Sequence, residues 1–539
     1  MESWLETAVK WLLGPEIGSE KSPGHLWPRW FFLRASGLIY FSAFYSLLFQ
    51  IKGLLGPTGI LPAEDYLQAV AGSPYHAWRF WFAPSLFWFG ASDRTLMLVM
   101  WAGLIASILI VFNIWPRAAL FVSFLCFLSF VSTARDFSGY QSDGMLLEAG
   151  FISLFFAPPG LFPGLGRAHP ASRASLYMLR WEWFRIYFES GIAKIASGDQ
   201  SWRHFTAMDD YYQNAPLPTW IGWYVGHLPH WFHASAVFYT LAVELVLVFL
   251  LFLPRRFRIA CFWIVAPFQI SIILTGNYTF LNYLVFLLGF LLLDDRFVEW
   301  VVPQRIRDLI EGKRPETLVD VETPETWRAV WRRRLAPVRM SIVGICFGLV
   351  FYANATLLVW MLAPALPLPP KPVQILEPFR IADQYGLFAR MTHARYEIEF
   401  QGSPDGTSWI AYPFRYKPQD PDKAPGIYAP YQPRFEWNLW FASLGTWPEY
   451  RFVVWTEERL LMNDPDVLAL FAHNPFSSEP PRQLRAVIYQ YRFTDMKTKR
   501  EQGLWWRREL IGDYAPTLER EPDGKVVILT MPATEALPQ

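Results

Sequence analysis

Long apolar runs recur through residue 361 of this chain, and they leave few folds open. They fall at about 30 to 51, 94 to 112, 116 to 134, 143 to 157, 176 to 196, 231 to 253, 258 to 275, 278 to 294 and 339 to 361. In hydrocarbon every backbone N–H and C=O must be paired within its own segment, so a run of about 20 apolar residues becomes a helix crossing roughly 30 Å of bilayer. The pattern predicts a polytopic α-helical membrane protein with about nine transmembrane helices. The fourth run is short enough for a re-entrant segment, and the seventh and eighth are joined only by Gly276-Asn277-Tyr278. Composition agrees, with 53% hydrophobic and 18% charged residues among 539. A net charge of +1 supplies no basic field, which argues against nucleic acid as a partner. The three cysteines, Cys126, Cys261 and Cys346, sit inside apolar runs and offer neither a disulfide framework nor a zinc site.

Short-loop arginines set the orientation. With the N-terminus inside, PRRFR (254 to 258) and the Arg-rich stretch from 296 to 338 fall together on the cytoplasmic side. The resulting organisation is a helical bundle over 1–295, a cytoplasmic linker carrying a short helix over 296–338, and a last membrane helix over 339–361. A proline-rich spacer over 362–372 then leads into an extracytoplasmic domain over 373–539. The N-terminal stretch MESWLETAVKWLLGPEIG has no cleavage signal and is expected to stay, lying on the membrane surface. In the last domain Tyr396, Ile398 and Phe400 alternate, Ser403-Pro404-Asp405-Gly406 supplies a turn, and Trp409 to Tyr416 returns as a second strand. Further strands are predicted over 484–494 and 525–531, with a helical piece near 465–472 and a β-rich sandwich as the outcome.

One bundle segment is unusual, because LRWEWFRIYFESGIAKIASGDQSW carries Arg180, Glu182, Arg185, Glu189 and Lys194. A charge at the centre of a membrane helix costs roughly 2.5–3.5 kcal/mol on insertion scales, so such groups face one another or a protein cavity. On an ideal helix Glu182, Arg185 and Glu189 fall within about 60° of one another and form a stripe that can neutralise itself. Lys194 lies more than about 100° away, so it meets another neighbour or the helix breaks near Gly191. Asp143, Glu148 and Glu244 are the other intramembrane or edge carboxylates, Glu148 and Glu244 belong to the candidate network, and Glu244 needs a partner. Two readings stand: a buried network that fixes helix register, and a cavity in which a desolvated Lys194 serves as a base. Asp199, Trp202 and His204 are candidates in the loop that follows. His227, His230 and His233 are spaced by three around Pro229 without a carboxylate in their segment, and no metal or cofactor is expected. No P-loop, dinucleotide fingerprint, nucleophile elbow or HExxH occurs.

GLLGPTGILPAEDYL (53 to 67), DGMLLEAGFISLFFAP, RWEWFRIYFESGIAKIASGDQSWR and YGLFARMTHARYEIEFQGSPDGTSWIAYPFRYKPQDP together resemble the lipase maturation factor family. YQPRFEWNLWFASLG (431 to 445) and GLWWRRELIGDYAP (503 to 516) extend the likeness. The chain departs from that pattern at Ser142, Tyr431 and Glu436, where the family shows an aromatic, His and Asp. The resemblance implies a multi-pass membrane factor that assists folding of secreted clients, lipases among them, through an extracytoplasmic domain. It would lie in the endoplasmic reticulum membrane in a eukaryote and in the plasma membrane in a bacterium. Tyr431, Arg434, Trp437 and Trp440 are its candidate client-binding residues. A shorter likeness, YF-x-x-G-x-x-K followed by Asp199 and Trp202, is similar to the active-site helix of vitamin K-dependent γ-carboxylases and would put a catalytic base at Lys194.

Overall fold

In the computed structural model, which describes residues 12–14, 24–311 and 327–533, the apolar runs are helices. The expected surface helix at the N-terminus and the centre of the charged linker lie largely outside those residues. The bundle is built from α1 (Leu26–Leu48), α2 (Asp93–Val111), α3 (Pro116–Val131), α4 (Gln141–Phe156), α5 (Arg173–Ala196), α6 (His230–Leu245), α7 (Arg255–Thr275), α8 (Leu281–Gly289) and α9 (Trp327–Leu362). Among the described residues five helical stretches are long and apolar enough to cross a membrane, namely Leu26–Leu48, Asp93–Val111, His230–Phe252, Arg255–Thr275 and Met340–Leu362. Pro116–Val131 and Leu281–Leu292 are apolar but shorter.

Local chemistry sets the helix starts. Ser92 and Ser172 accept hydrogen bonds from the backbone N–H groups of Thr95 and Ser175, satisfying donors that α2 and α5 would otherwise leave free. Pro116 opens α3 at its first turn, where a missing N–H costs nothing. With 16 residues α4 is about 24 Å long, a few ångströms under the roughly 30 Å of a hydrocarbon core, and it is buried from Ser142 through Gly150. It is the centre of the bundle. Gly150 makes that possible, since a Cβ there would lie 2.0 Å from the Tyr40 hydroxyl of α1. The last helix differs from expectation at its start: it runs on from Trp327, inside the stretch read as linker.

The C-terminal region is a single antiparallel sheet, β1 (Arg395–Ser403), β2 (Ile410–Ala411), β3 (Gln483–Phe493), β4 (Trp506–Asp513), β5 (Thr517–Arg520) and β6 (Val526–Thr530), in the order β2-β1-β3-β5-β6 with β4 also on β3. It is not a sandwich. Helices α10 (Arg434–Ala442) and α11 (Phe452–Leu461) cover it in place of a second sheet. All of β1 is buried. The returning strand of the first hairpin is shorter than expected, because Pro413 has no N–H to give a ladder and the chain leaves the sheet.

Candidate functional site

The charged face of α5 is the floor of a seat. Arg185, fully buried, makes an ion pair with Glu148 of α4, and its Nη1 lies 3.6 Å from Glu189 Oε1. Asn354 of α9 donates to Glu148 Oε1 at 2.8 Å. The wheel expectation holds for Arg185 and Glu189 but not for Glu182. Both Glu182 oxygens are buried without a side-chain partner, because the α4 carboxylate has taken the guanidinium.

Lys194 meets a different neighbour. Helix α5 is unbroken past Gly191, and Gly191 packs against Glu244 and Leu245, where a Cβ would lie 2.8 Å from a Leu245 methyl. That close approach brings Lys194 Nζ to 2.9 Å from Glu244. Nζ also donates to the Leu387 carbonyl at 2.8 Å and sits 5.1 Å from the Trp202 ring centre. Lys194 is 2% exposed and Glu244 is 6% exposed. Two oxygen acceptors and a ring face thus surround Nζ.

The strap over residues 383–392, entering the C-terminal domain, fills the seat. Arg185 donates to the Asp383 carbonyl (2.6 Å), and Tyr385 donates through its hydroxyl to Glu148 and through its N–H to Glu189, each at 2.8 Å. The Leu387 N–H donates to Ser190 Oγ (3.2 Å), and the Trp202 indole donates to the Phe388 carbonyl (3.1 Å). Asp199 accepts from the Met391 N–H at 2.7 Å. Burial works to raise that carboxyl, but the Met391 amide and the Ser201 hydroxyl and amide hold it below the usual carboxylate range. His204 is exposed and stands apart from the seat.

Sequence reasoning missed a second lock. Arg434 of α10 grips Asp143 of α4 through both nitrogens (2.8 Å each) and donates to the Phe137 carbonyl (2.9 Å), with both side chains fully buried. Phe130 lies under the guanidinium at 4.6 Å. Trp437 is also buried, edge-on to Tyr140 and Tyr278, whereas Tyr431 and Trp440 are half-buried. Arg434 and Trp437, expected on a client surface, therefore hold the two halves of the chain together. Asn277 does the same: its amide donates to Gly426 O and accepts from the Tyr428 and Ala429 N–H groups. Glu436, where the family pattern shows Asp, accepts from the N–H groups of Arg415, Tyr416 and Lys417, and burial outweighs those bonds in raising its carboxyl.

Of the histidines, His230 and His233 both reach Asp209, at 3.0 and 2.9 Å, while His227 bonds the Trp223 and Thr494 carbonyls. Among the described residues no group of three or more His, Cys, Asp or Glu is placed to hold a metal.

Residues 27–300 match the lipase maturation factor transmembrane domain, and residues 381–516 match the lipase maturation factor C-terminal domain. Lipase maturation factor 1 of Mus musculus is 32% identical over 512 residues, covering 91% of this chain and 86% of its own length. The Bos taurus protein of that name is 30% identical over 509 residues, with 91% and 88% covered. Lipase maturation factor 2 of Gallus gallus is 30% identical over 581 residues, with 91% and 81% covered. No solved structure matches.

Proposed function

Since the chain belongs to the lipase maturation factor family, we propose that it is a membrane-anchored maturation factor whose C-terminal sheet engages exported lipases as they fold. The helices α1 to α9 make about nine crossings, with α4 buried among the others, and the sheet stands on the extracytoplasmic side. That side is the endoplasmic reticulum lumen in a eukaryote and the outer face of the plasma membrane in a bacterium. Secreted lipases and the bilayer are the partners in this reading.

One observation carries the client-binding part. Strand β6 ends the sheet among the described residues, with the apolar Ile528 and Leu529 54% and 47% exposed and Met531, just past its end, 63% exposed. On β4, Leu510 and Ile511 are 53% and 43% exposed. An unpaired apolar edge offers a row of backbone donors and acceptors that an incompletely folded chain can extend as a further strand. The two buried locks and the strap fix that edge relative to the membrane, so a client leaving the bilayer meets a rigid surface. Lys194 belongs to the anchoring in this reading, since its Nζ is spent tying α5 to Glu244 of α6 and to the Leu387 carbonyl of the strap.

The test uses the full chain co-expressed with a secreted lipase in cells lacking their own factor. Leu510→Lys with Ile528→Lys leaves the core untouched and should lower both lipase co-purification and secreted lipase activity. A variant that is normally folded and still supports full lipase activity would count against the edge as the client site.

A further inference from the structure

A chamber of about 430 Å³ lies between the outer halves of α6 and α7, beside Lys194. Pockets that hold small molecules run from roughly 300 to 1,000 Å³ with mostly apolar walls and a few placed polar groups, and this chamber fits that description. Phe232, Tyr239, Phe268 and Ile272 form its walls, and Tyr211 and Phe388 close its outer end.

Its mouth faces lipid. Ser235, Pro267 and Ser271 line the slot and are exposed. They are flanked by Trp231, Phe238 and Ile270, which are 69%, 65% and 43% exposed on the outer faces of the same helices. A slot bordered by outward aromatic and aliphatic side chains on apolar membrane helices opens onto hydrocarbon. Two features keep it open. The side chains at 235, 236 and 271 are small, and Pro267 inside α7 lacks the N–H that would complete the helical ladder there. On the inner side the helices are pinned, because the Tyr239 hydroxyl donates to the Ile264 carbonyl at 2.5 Å.

The polar end selects the head group. Lys194 and Glu244 cancel, so a net charge on a ligand gains nothing from one without meeting the other. Glu244 meets Nζ through both oxygens, each at 2.9 Å, and a carboxylate so engaged keeps acceptor capacity for one neutral O–H or N–H donor. Across the chamber Asn282 donates to Gln269 (2.8 Å), which donates to Tyr187 (2.6 Å), a second polar row from an otherwise apolar wall. We propose that the chamber binds a neutral, hydroxyl-bearing lipid with a single hydrocarbon chain, taken laterally from the bilayer, whose hydroxyl donates to the Glu244 carboxylate at the chamber's polar end.

The full-length protein in phosphatidylcholine nanodiscs is photolabelled with a monoacylglycerol bearing a diazirine in its chain, and separately with the matching fatty acid. The expected result is labelling confined to peptides spanning residues 232–240 and 267–275, about tenfold stronger for the monoacylglycerol, equivalent to about 1.4 kcal/mol. Ala236→Trp should fill the slot and abolish labelling, whereas Phe238→Trp on the lipid face should not. Should Ala236→Trp lower the melting temperature, Ser271→Trp at the exposed mouth gives the same test. Equal labelling by the fatty acid, labelling that survives both blocking variants, or labelling spread evenly over the bundle would overturn the proposal. Displacement of the probe by cholesterol more readily than by unlabelled monoacylglycerol would overturn the single-chain assignment.

Discussion

Replacing Arg434 by methionine tests the inter-domain lock most sharply. The wild-type guanidinium gives two hydrogen bonds to Asp143 and one to the Phe137 carbonyl, all in a site with no solvent exposure. Methionine fills much of the volume but leaves the Asp143 carboxylate buried without its cation. The neighbouring Arg380 is already committed to Asp383 at 2.8 Å. Breaking one side of a buried ion pair costs roughly 3–5 kcal/mol, whereas replacing both partners by apolar residues is often neutral or stabilising. We therefore expect Arg434→Met to lower the stability of the detergent-solubilised full chain by about 3–5 kcal/mol, and Asp143→Leu with Arg434→Met to recover most of it. Arg434→Lys should fall between, because an ammonium keeps the charge but not the fork or the stacking on Phe130. Tryptophan fluorescence during denaturant unfolding reads the stability, and protease cutting within the spacer at 363–372 reads undocking. A loss below about 0.5 kcal/mol, the range of ordinary surface changes, would refute the reasoning, as would a double variant no more stable than the single one.

Other expectations follow from the same geometry. Gly53→Ala places a Cβ 2.4 Å from the Asp466 carbonyl, a backbone atom that cannot rotate away, and should cost about 1–3 kcal/mol of stability with the spacer more open to protease. Glu457 is fully buried on α11 with no side-chain partner, and burial holds its carboxyl well above the usual range. A raised folded-state value means that its contribution is fully present below the unfolded carboxyl range and is lost as pH rises through the folded one. Glu457→Met should therefore raise the melting temperature at pH 8 and change it little at pH 4. Asn354→Leu removes a 2.8 Å bond to Glu148 and should cost about 1–3 kcal/mol, measured as denaturant stability of the full chain.

How far the sequence carries is clear element by element. The bundle helices were legible because a bilayer demands continuous apolar runs, β1 because its alternation is clean, and β3 and β6 because they are runs rich in β-branched and aromatic residues. Helices α10 and α11 were not: they pack against both the sheet and the bundle, so their apolar residues spread around the axis and the period is lost. A helical wheel brought Arg185 and Glu189 together but describes one helix at a time. It could not supply Glu148, or Glu244, which stands 50 residues from Lys194 on another helix. The strap at 383–392 left still less trace, since much of its contribution comes from backbone N–H and C=O groups that any side chain would carry. Asp143 in an apolar segment and Arg434 in an aromatic one were the visible halves of the lock, and only the fold joins them.

The central claim is that the charges on α5 hold the protein together and do no chemistry, and Lys194→Arg tests it most directly. Arginine keeps a cation for Glu244 and a donor for the Leu387 carbonyl, and the adjoining chamber has room for the larger head, but a guanidinium stays protonated and cannot serve as a base. The measurement is the activity of a co-expressed secreted lipase per amount of membrane-inserted Lys194→Arg protein, with melting temperature checked alongside. Activity close to wild type is expected; a stably folded Lys194→Arg protein that no longer matures the lipase would contradict a purely anchoring role for Lys194.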